Sequence, residues 1–269
     1  MFSALDRISG CKVMGVINVT PDSFSDGGRY FATSDAIAHG EQMIADGAAI
    51  VDVGGETTRP GSHGVDVATE LERILPVVQA LAPHTVLSID TTKAEVAVAA
   101  VNAGAMIVND VGGTLARLAG EMGVGYVAMH SVGTPANMQD NPSYEDVVGE
   151  VISYVGALAH EATEAGSPRV WIDPGLGFGK TEAHNLTLVR NIAALGAAGW
   201  PVLIGASRKM FIGRLLAQSD GVNSTDTDDR LEGSLTVATW AASVGCDVVR
   251  VHDVLATVGA TNIVGRVKK

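Results

Sequence analysis

The feature that most constrains the fold is a regular alternation of short apolar runs with helix-like stretches. Eight runs of β-branched and small apolar residues lie at 12–17, 49–53, 85–89, 105–108, 124–129, 169–172, 201–204 and 247–251. Because helical periodicity lies between consecutive runs, the pattern predicts a parallel sheet in which each strand is followed by a helix. Eight such units favour an α/β fold closed into a (β/α)8 TIM barrel, with strands buried on both faces.

The length is consistent with one barrel. The chain has 269 residues, whereas a barrel of this kind typically needs about 250. No linker-like segment divides it, so we expect residues 1–269 to form a single domain, with an exposed loop at 219–229. The first helix is expected over 33–46, with Thr33, Ser34 and Asp35 as candidate N-caps. Five glycines are expected to end helices: Gly47, Gly104, Gly123, Gly166 and Gly245.

Charge and cysteine content limit the partners of the protein. The formal net charge is −12 and no long Lys/Arg run occurs, which argues against a nucleic-acid surface. Cys11 and Cys246 lie in no CxxC pair and are interpreted as buried free thiols in a reducing compartment. The N-terminal residues lack a signal-peptide pattern, and no apolar run is long enough to span a bilayer. We therefore expect a cytoplasmic protein that binds neither nucleic acid nor membranes.

Polar side chains follow every predicted strand. In strand order they are Asn18, Glu56 with Arg59, Asp90, Asn109 with Asp110, His130, Asp173, the segment 207–209, and Arg250 with His252. One aspartate after a strand is most simply a helix cap. The carboxyl ends of all eight strands meet at one face of a barrel, however, and that face carries the site in barrel enzymes. The convergence therefore predicts a polar ligand pocket.

Two kinds of group are expected in this pocket. Asp90, Asp173 and Asn109 suit the amino-amide edge of a flat heterocycle, because a carboxylate can accept two parallel N–H bonds. The positive charges suit phosphate and come from Arg59, Lys209, Arg250 and His252. We therefore expect a heterocycle deep in the pocket and an anion at its rim.

Two local features point to no chemistry of their own. The segment 174–181 (PGLGFGKT) resembles a phosphate-binding loop, but Pro174 stands where that motif needs glycine. It is interpreted as a turn after the sixth strand with close backbone packing. His130 is more simply a structural residue, and no Ser or Cys nucleophile constellation is evident.

Several motifs resemble the dihydropteroate synthases. The segment 14–28 (MGVINVTPDSFSDGG) is similar to the first signature of that family, and 54–61 (GGETTRPG) is similar to the second. Further similar segments are DPGLGFGKT at 173–181, GASRK at 205–209 and RVHDV at 250–254. The resemblance extends in order over nearly the whole chain.

The resemblance implies a transferase of folate biosynthesis, built as a barrel. Such enzymes join 4-aminobenzoate to 6-hydroxymethyl-7,8-dihydropterin diphosphate and release 7,8-dihydropteroate and pyrophosphate. The implied pterin ligands are Asp90, Asn109, Asp173 and Lys209, of which Asp90, Asp173 and Lys209 would be catalytic. The implied diphosphate ligands are Asn18, Thr58, Arg59, Arg250 and His252, with Asn18 also meeting Mg²⁺. The implied aminobenzoate pocket contains Phe24, Pro60, Ser207 and Arg208.

The resemblance also implies a mechanism and an assembly. The C–O bond to diphosphate would break first, in an SN1-like step, because the pterin ring delocalises the resulting cation. Asp90 and Asp173 would stabilise that charge in a water-poor pocket. A homodimer through helices of the later βα units is implied, and aminobenzoate mimics such as sulfonamides act on the family.

The sequence departs from the family in three places, and two alternatives stay open. Met210 stands where many members carry serine, Ser131-Val132 follow His130, and the segment near 111–123 is short. One alternative is a pterin-binding methyltransferase, which would not need the diphosphate-facing Arg250 and His252. The other is a non-catalytic pterin-binding paralogue, which the short segment and the Ser131-Val132 variation motivate.

Overall fold

The barrel strands lie where the apolar runs predict them. The computed structural model describes residues 2–20, 28–57, 62, 64–134, 137–223, 225–227 and 229–267, apart from the side chains of 28–32. The strands in this part of the chain are β1 (Lys12–Asn18), β2 (Ile50–Gly54), β3 (Val86–Asp90), β4 (Ile107–Asp110), β5 (Gly125–Met129), β6 (Val170–Asp173), β7 (Leu203–Ile204) and β8 (Val248–Val251). Each overlaps one predicted run.

The strands form one parallel sheet that closes on itself. Their order is β6-β5-β4-β3-β2-β1-β8-β7, and every described pair is parallel. The two outer strands meet through a bridge between Ile172 and Val202, where the amide of Ile172 donates to the carbonyl of Pro201 at 2.9 Å. The (β/α)8 barrel predicted from the sequence is therefore confirmed.

Helices surround the strands in the expected alternation. Those in the described residues are α1 (Ser3–Asp6), α2 (Gly28–Ala45), α3 (Val67–Leu81), α4 (Ala94–Asn102), α5 (Ala116–Glu121), α6 (Val147–Glu164), α7 (Glu182–Arg190), α8 (Ile192–Ala197), α9 (Met210–Asp220), α10 (Leu231–Ser243) and α11 (Val254–Val267). The five glycines expected to end helices all have positive φ angles, from 66° to 117°. Those predictions are confirmed, since a left-handed residue ends a helix and glycine adopts it without strain.

Two helix predictions are wrong in detail. The caps expected at 33–35 lie inside α2, which already begins at Gly28, because the preceding residue types tolerate helical geometry. The helical periodicity near 184–195 predicts one further helix, but the structure breaks it at Asn191, between α7 and α8. There the side-chain amide of Asn191 donates to the carbonyl of Thr187 at 2.8 Å, a local bond that competes with helix continuation.

The lower half of the barrel interior is apolar and sealed. Met14, Ile50 and Trp171 belong to a buried cluster inside the strands, and full burial of each such side chain contributes about 1.5–3 kcal/mol. Helix α1, which the sequence pattern did not predict, places Phe2 against the Trp171 ring at 6.0 Å between centroids. Polar side chains can therefore enter the interior only from the carboxyl ends of the strands.

Of the two cysteines predicted to be buried free thiols, one is buried and the other is not. Both cysteines are free; Cys246 is buried as predicted, whereas Cys11 is only partly buried because it precedes β1 at the barrel's edge. In the described part of the chain, no helix combines the length and the apolar content that a membrane span requires.

Candidate active site

The carboxyl ends of the strands enclose a cavity of about 860 Å³. The predicted site residues on its wall are Asn18, Asp90, Ser207, Arg208, Lys209, Arg250 and His252. Asn109 and Asp173 are buried, and Asn109 stands beside the wall residue Asp90 in the strand register. The four remaining predicted site residues, Phe24, Thr58, Arg59 and Pro60, lie outside the described residues.

The cavity floor is a hydrogen-bonded network centred on Asp52. Arg250 donates from Nε to Asp52 Oδ2 and from Nη2 to Asp90 Oδ2, each at 2.6 Å. Asn109 donates from Nδ2 to the same Asp52 oxygen at 3.0 Å. Strand register explains the clustering, because Gly54, Asp90 and Asn109 stand side by side on β2, β3 and β4. Gly54 adds no side chain, so its neighbours can approach one another across the floor.

Three acceptor oxygens of this floor are buried and have no partner among the described residues. They are Oδ1 of Asp52, Oδ1 of Asp90 and Oδ1 of Asn109. Leaving a buried acceptor unsatisfied costs about 1–3 kcal/mol. The floor is therefore suited to a ligand that brings several N–H donors.

The charges of the floor depend on burial and on mutual pairing. Burial raises the pKa of Asp90 to about 7, and the attraction of Arg250 opposes that rise. For Arg250, burial favours the neutral form, but the carboxylates of Asp52 and Asp90 outweigh it and raise the pKa, so the guanidinium stays charged. Arg250 therefore lies among the carboxylates of the floor. This corrects the expectation that it stands at the rim, and the reason is that its strand position places it one layer below His252.

A second acid–base pair lies on the β6 side. Asp173 accepts from the amide of Gly175 at 2.8 Å; burial raises its pKa, and the nearby charge of Lys209 lowers it. Burial lowers the pKa of Lys209 to about 8. The Lys209 amine donates to the carbonyl of Leu176 and lies 4.6 Å from the Phe178 ring centroid. Lys209 can therefore exchange a proton near neutral pH.

The turn after β7 is held by side chains on both sides. Ser207 Oγ accepts from the backbone amide of His252 at 3.1 Å, and the Nδ1 atom of His252 lies at the same distance. The guanidinium of Arg208 binds Asp253 through Nε at 3.2 Å and Nη2 at 2.7 Å. Arg208 also has a φ angle of 58°, a strained conformation of the kind found at functional sites.

The loop after β6 is a packed turn, as the sequence predicted, and its lysine binds its own backbone. Lys180 donates to the carbonyls of Gly175 and Phe178 at 3.1 Å and 3.0 Å. Its amine also lies 2.8 Å from Nδ1 of His130. The interpretation of His130 as a structural residue agrees with these contacts, since the ring is buried against Lys180.

The β2–α3 loop is anchored at its base by an ionic cluster. The amine of Lys93 bridges Glu56 in the loop and Glu70 on α3, with 2.6 Å to Glu70 Oε2. Arg73 holds the same base by donating to the carbonyl of Gly55 at 2.7 Å. The first loop residue on the cavity wall is Thr57, so this cluster fixes where the GGETTRPG segment leaves the barrel.

Sequence reasoning missed two residues of the site. Asp52 is fully buried, and the available signal was a charged residue inside the apolar run AIVDV, since isolated buried charges are rare. Phe178 lines the cavity beneath the Lys209 amine. Its signal was an aromatic residue between the glycines of a tight loop.

Known proteins are similar to this chain in sequence. Residues 14–252 match the pterin-binding enzyme family. The chain is 48% identical over 263 residues to a dihydropteroate synthase of Mycobacterium leprae, covering 94% of this chain and 92% of that protein. It is 42% identical over 266 residues to a dihydropteroate synthase of Escherichia coli, covering 96% and 92%.

Solved structures of such enzymes are similar to this chain in fold. A dihydropteroate synthase of Xanthomonas albilineans with 4-aminobenzoic acid superposes with a TM-score of 0.88 at 40% identity, covering 97% of this chain and 94% of that one. The same enzyme in complex with 7,8-dihydropteroate gives 0.84 at 38% identity, with the same coverage. A Yersinia pestis dihydropteroate synthase with a sulfonamide drug complex gives 0.87 at 38% identity, again covering 97% and 94%.

Proposed function

The chain belongs to the pterin-binding enzyme family and, within it, to the dihydropteroate synthases, and from this premise we propose how its barrel mouth works. The protein is a transferase of folate biosynthesis. It joins 4-aminobenzoate to 6-hydroxymethyl-7,8-dihydropterin diphosphate, giving 7,8-dihydropteroate and pyrophosphate.

The three unpartnered acceptor oxygens of the floor carry the proposed pterin site. A pterin presents an amino group beside a ring N–H, and these donors match acceptors on Asp90 and Asn109. Asp173 contributes a further carboxylate near the amine of Lys209. We therefore assign Asp90, Asn109, Asp173 and Lys209 to the pterin ring.

The same groups support the chemistry. The bond between the methylene carbon and the diphosphate oxygen breaks first, and its electron pair leaves with pyrophosphate. The carboxylates of Asp90, on the cavity wall, and of the buried Asp173 stabilise the cation that spreads over the pterin ring. The amine of aminobenzoate then attacks the methylene carbon and loses a proton, so no covalent bond to the enzyme forms. Asp90, Asp173 and Lys209 are the proposed catalytic residues.

The diphosphate is assigned to the cationic side of the cavity. His252 lies just before the start of α11 at Val254, and helix N-termini favour anions. Asn18 and His252 line the cavity there. Arg250, which lines the cavity one layer below His252, is assigned to the diphosphate from its motif, together with Thr58 and Arg59.

Mg²⁺ fits this site as a companion of the diphosphate. Among the described residues, no group of three or more His, Cys, Asp or Glu side chains is placed to hold a metal ion. Mg²⁺ commonly takes one or two protein ligands and completes its shell with water and phosphate oxygens. The amide of Asn18 can supply one such ligand. When bound, the ion would neutralise charge on the leaving group.

The aminobenzoate pocket is assigned to the outer part of the cavity. Ser207 and Arg208 line it, and Phe24 and Pro60 are placed there by their motifs. Phe178 offers an apolar face beside Lys209. This arrangement would bring the aminobenzoate amine over the methylene carbon of a pterin bound on the floor.

Release of pyrophosphate tests the function directly. With Mg²⁺ and pterin diphosphate, release should require 4-aminobenzoate, and 7,8-dihydropteroate should form in equal amount. Dissociative cleavage has its own test. An ¹⁸O label placed in the bridging C–O–P position should move into the non-bridging oxygens of the same phosphate when a non-reacting aminobenzoate mimic replaces the substrate. Absence of scrambling together with full turnover would contradict the dissociative order but not the activity.

The assembly and location are proposed on separate grounds. The single closed sheet supports one domain over residues 1–269. Several large apolar side chains are exposed on α10 and α11, namely Trp240, Leu255, Ile263 and Val267. Large exposed apolar side chains on two helices that pack against each other favour an interaction surface, so a homodimer through these helices is proposed. The two free thiols fit a cytoplasmic location.

A further inference from the structure

We propose that Asp52 is a positioning residue that decides which hydrogen-bonding groups the cavity floor presents to the pterin ring. The inference rests on the proposed pterin site. Asp52 lies in the middle of β2 and is fully buried. Ile50 belongs to the cluster inside the barrel, and residues two apart on a strand share a face. Asp52 therefore points into the barrel, one layer below the cavity.

One oxygen of Asp52 is shared by two donors. Oδ2 accepts from Arg250 Nε at 2.6 Å and from Asn109 Nδ2 at 3.0 Å. Both contacts place an N–H donor against this oxygen, so Oδ2 is the acceptor of both hydrogen bonds. The amide of Asn109 must then turn its NH₂ group toward Asp52, which fixes an orientation that the side chain could otherwise reverse.

The fixed amide leaves an acceptor for the ligand. Asn109 Oδ1 points away from Asp52 and has no partner among the described residues. Asp90 stands beside Asn109 in the strand register. Its Oδ2 atom binds Arg250, whereas its Oδ1 atom has no partner among the described residues. The floor thus offers acceptors on two neighbouring strands. It should accept a 2-amino heterocycle and reject a 2-oxo analogue, whose oxygen would face the same acceptors.

A purely structural role for Asp52 makes a different prediction. If Asp52 only neutralised Arg250, its loss would weaken both ligands alike and leave their ratio unchanged. If Asp52 orients Asn109, the ratio itself must fall in Asp52→Ala, because no oxygen then remains to accept from the Asn109 amide and that amide can reverse. Combining Asp52→Ala with Asn109→Asp keeps one carboxylate near Arg250, and either orientation of the side chain at position 109 then presents an acceptor.

Calorimetry with 6-hydroxymethylpterin and 6-hydroxymethyl-lumazine tests this without turnover. The wild type should prefer the pterin, Asp52→Ala should reduce the ratio of the two dissociation constants at least about tenfold, and the double variant should regain part of it. Asp247→Asn is the matched control: Asp247 pairs with Lys12 at the opposite end of the barrel, so its loss should leave the ratio unchanged.

The outcomes separate the two claims. A wild type without preference would overturn the proposed pterin site itself. A preferring wild type with an unchanged ratio in Asp52→Ala, or a double variant no better than that single variant, would overturn the role of Asp52 alone. If Asp52→Ala does not fold, Asp52→Val takes its place, because valine fills the volume of the side chain without an oxygen; a reduced ratio then supports the role, and an unchanged ratio rejects it.

Discussion

The amine of Lys180, a residue of the active-site cavity wall, lies 2.8 Å from Nδ1 of His130, and both residues are buried. Burial lowers the pKa of Lys180 to about 7, and burial also lowers the pKa of His130 to about 3. The imidazole is therefore neutral at pH 7 and accepts from the amine. Because the same amine donates to the carbonyls of Gly175 and Phe178, this pair fixes the loop whose Phe178 ring lies beneath Lys209.

The first prediction concerns the stability of that pair. Lys180→Met should lower the free energy of unfolding by about 2–3 kcal/mol, since it leaves buried carbonyl oxygens unsatisfied. The effect should depend on pH. The folded pKa of about 7 lies below the unfolded value of about 10.4, so between them the unfolded chain binds more protons and the free energy of unfolding rises with pH.

Denaturant titrations at about pH 7 and about pH 9.5 measure this effect. Wild type should exceed Lys180→Met by a margin that widens toward the higher pH. The lowered pKa of Lys209 also makes the free energy of unfolding rise with pH. Both wild type and Lys180→Met contain Lys209, so the difference between their free energies of unfolding reports mainly on Lys180. A margin that does not change with pH would contradict the assignment of Lys180.

The second prediction compares two glycines with similar φ angles. A Cβ atom on Gly175, at φ +64°, would lie 1.8 Å from the backbone oxygen of His130, whereas one on Gly221, at φ +70°, meets nothing within 4 Å. Gly221→Ala should cost about 1–2 kcal/mol, the strain of the left-handed conformation alone. Gly175→Ala should cost at least about 2 kcal/mol more, because backbone must move. Equal losses in urea unfolding would contradict the packing described for the loop.

The strand ends could be predicted because barrel topology is regular. Once eight strands run parallel, their carboxyl ends share one face, and this topology alone predicts that Asp90, Asp173 and Lys209 lie close together. Glycine at a helix end was equally predictable, because its preference for positive φ is a local property.

Pairing across the barrel could not be predicted in the same way. The bond between Arg250 and Asp52 joins residues 198 positions apart, and no local pattern tells which of several carboxylates an arginine meets. The sequence therefore assigned Arg250 to the rim and missed Asp52. Helix α1 was missed for a related reason, since four residues carry no helical period and its stability comes from Phe2 packing against Trp171.

The third prediction follows from Met210, which is half exposed on the cavity wall. By resemblance, many relatives carry serine here, and its hydroxyl reaches the aminobenzoate carboxylate. Met210→Ser should lower the KM for 4-aminobenzoate by about tenfold or more, because one hydrogen bond to a charged group contributes about 1.5–3 kcal/mol and about 1.4 kcal/mol corresponds to tenfold. The KM for pterin diphosphate should not change. A matched Met210→Ala variant separates the hydroxyl from the loss of the thioether, and an equal gain in both variants would contradict the prediction.

The fourth prediction concerns the proposed dimer. Ile263 on α11 is 65% exposed, and Ile263→Lys should place charges inside a two-fold interface and shift the protein toward monomer. Sedimentation analysis over a range of concentrations measures the shift. Val98→Lys is the control, because Val98 is also exposed but lies on α4. A monomeric wild type, or equal behaviour of the two variants, would contradict the assigned interface.

The fifth prediction concerns the acid–base groups of the cavity. Asp90→Asn and Lys209→Ala should each lower kcat/KM at least tenfold, a loss of about 1.4 kcal/mol or more in transition-state stabilisation. In the wild type, kcat/KM should fall below about pH 7, where Asp90 becomes protonated and can no longer stabilise the cation. It should also fall above about pH 8, where Lys209 loses its charge.

The variants test which group causes each fall in kcat/KM. The fall at acidic pH should disappear in Asp90→Asn and the fall at basic pH in Lys209→Ala, whereas the control Asp247→Asn should show both. Wild-type activity in the two site variants would contradict the catalytic assignment, whereas reduced activity with both falls intact would show that other groups titrate.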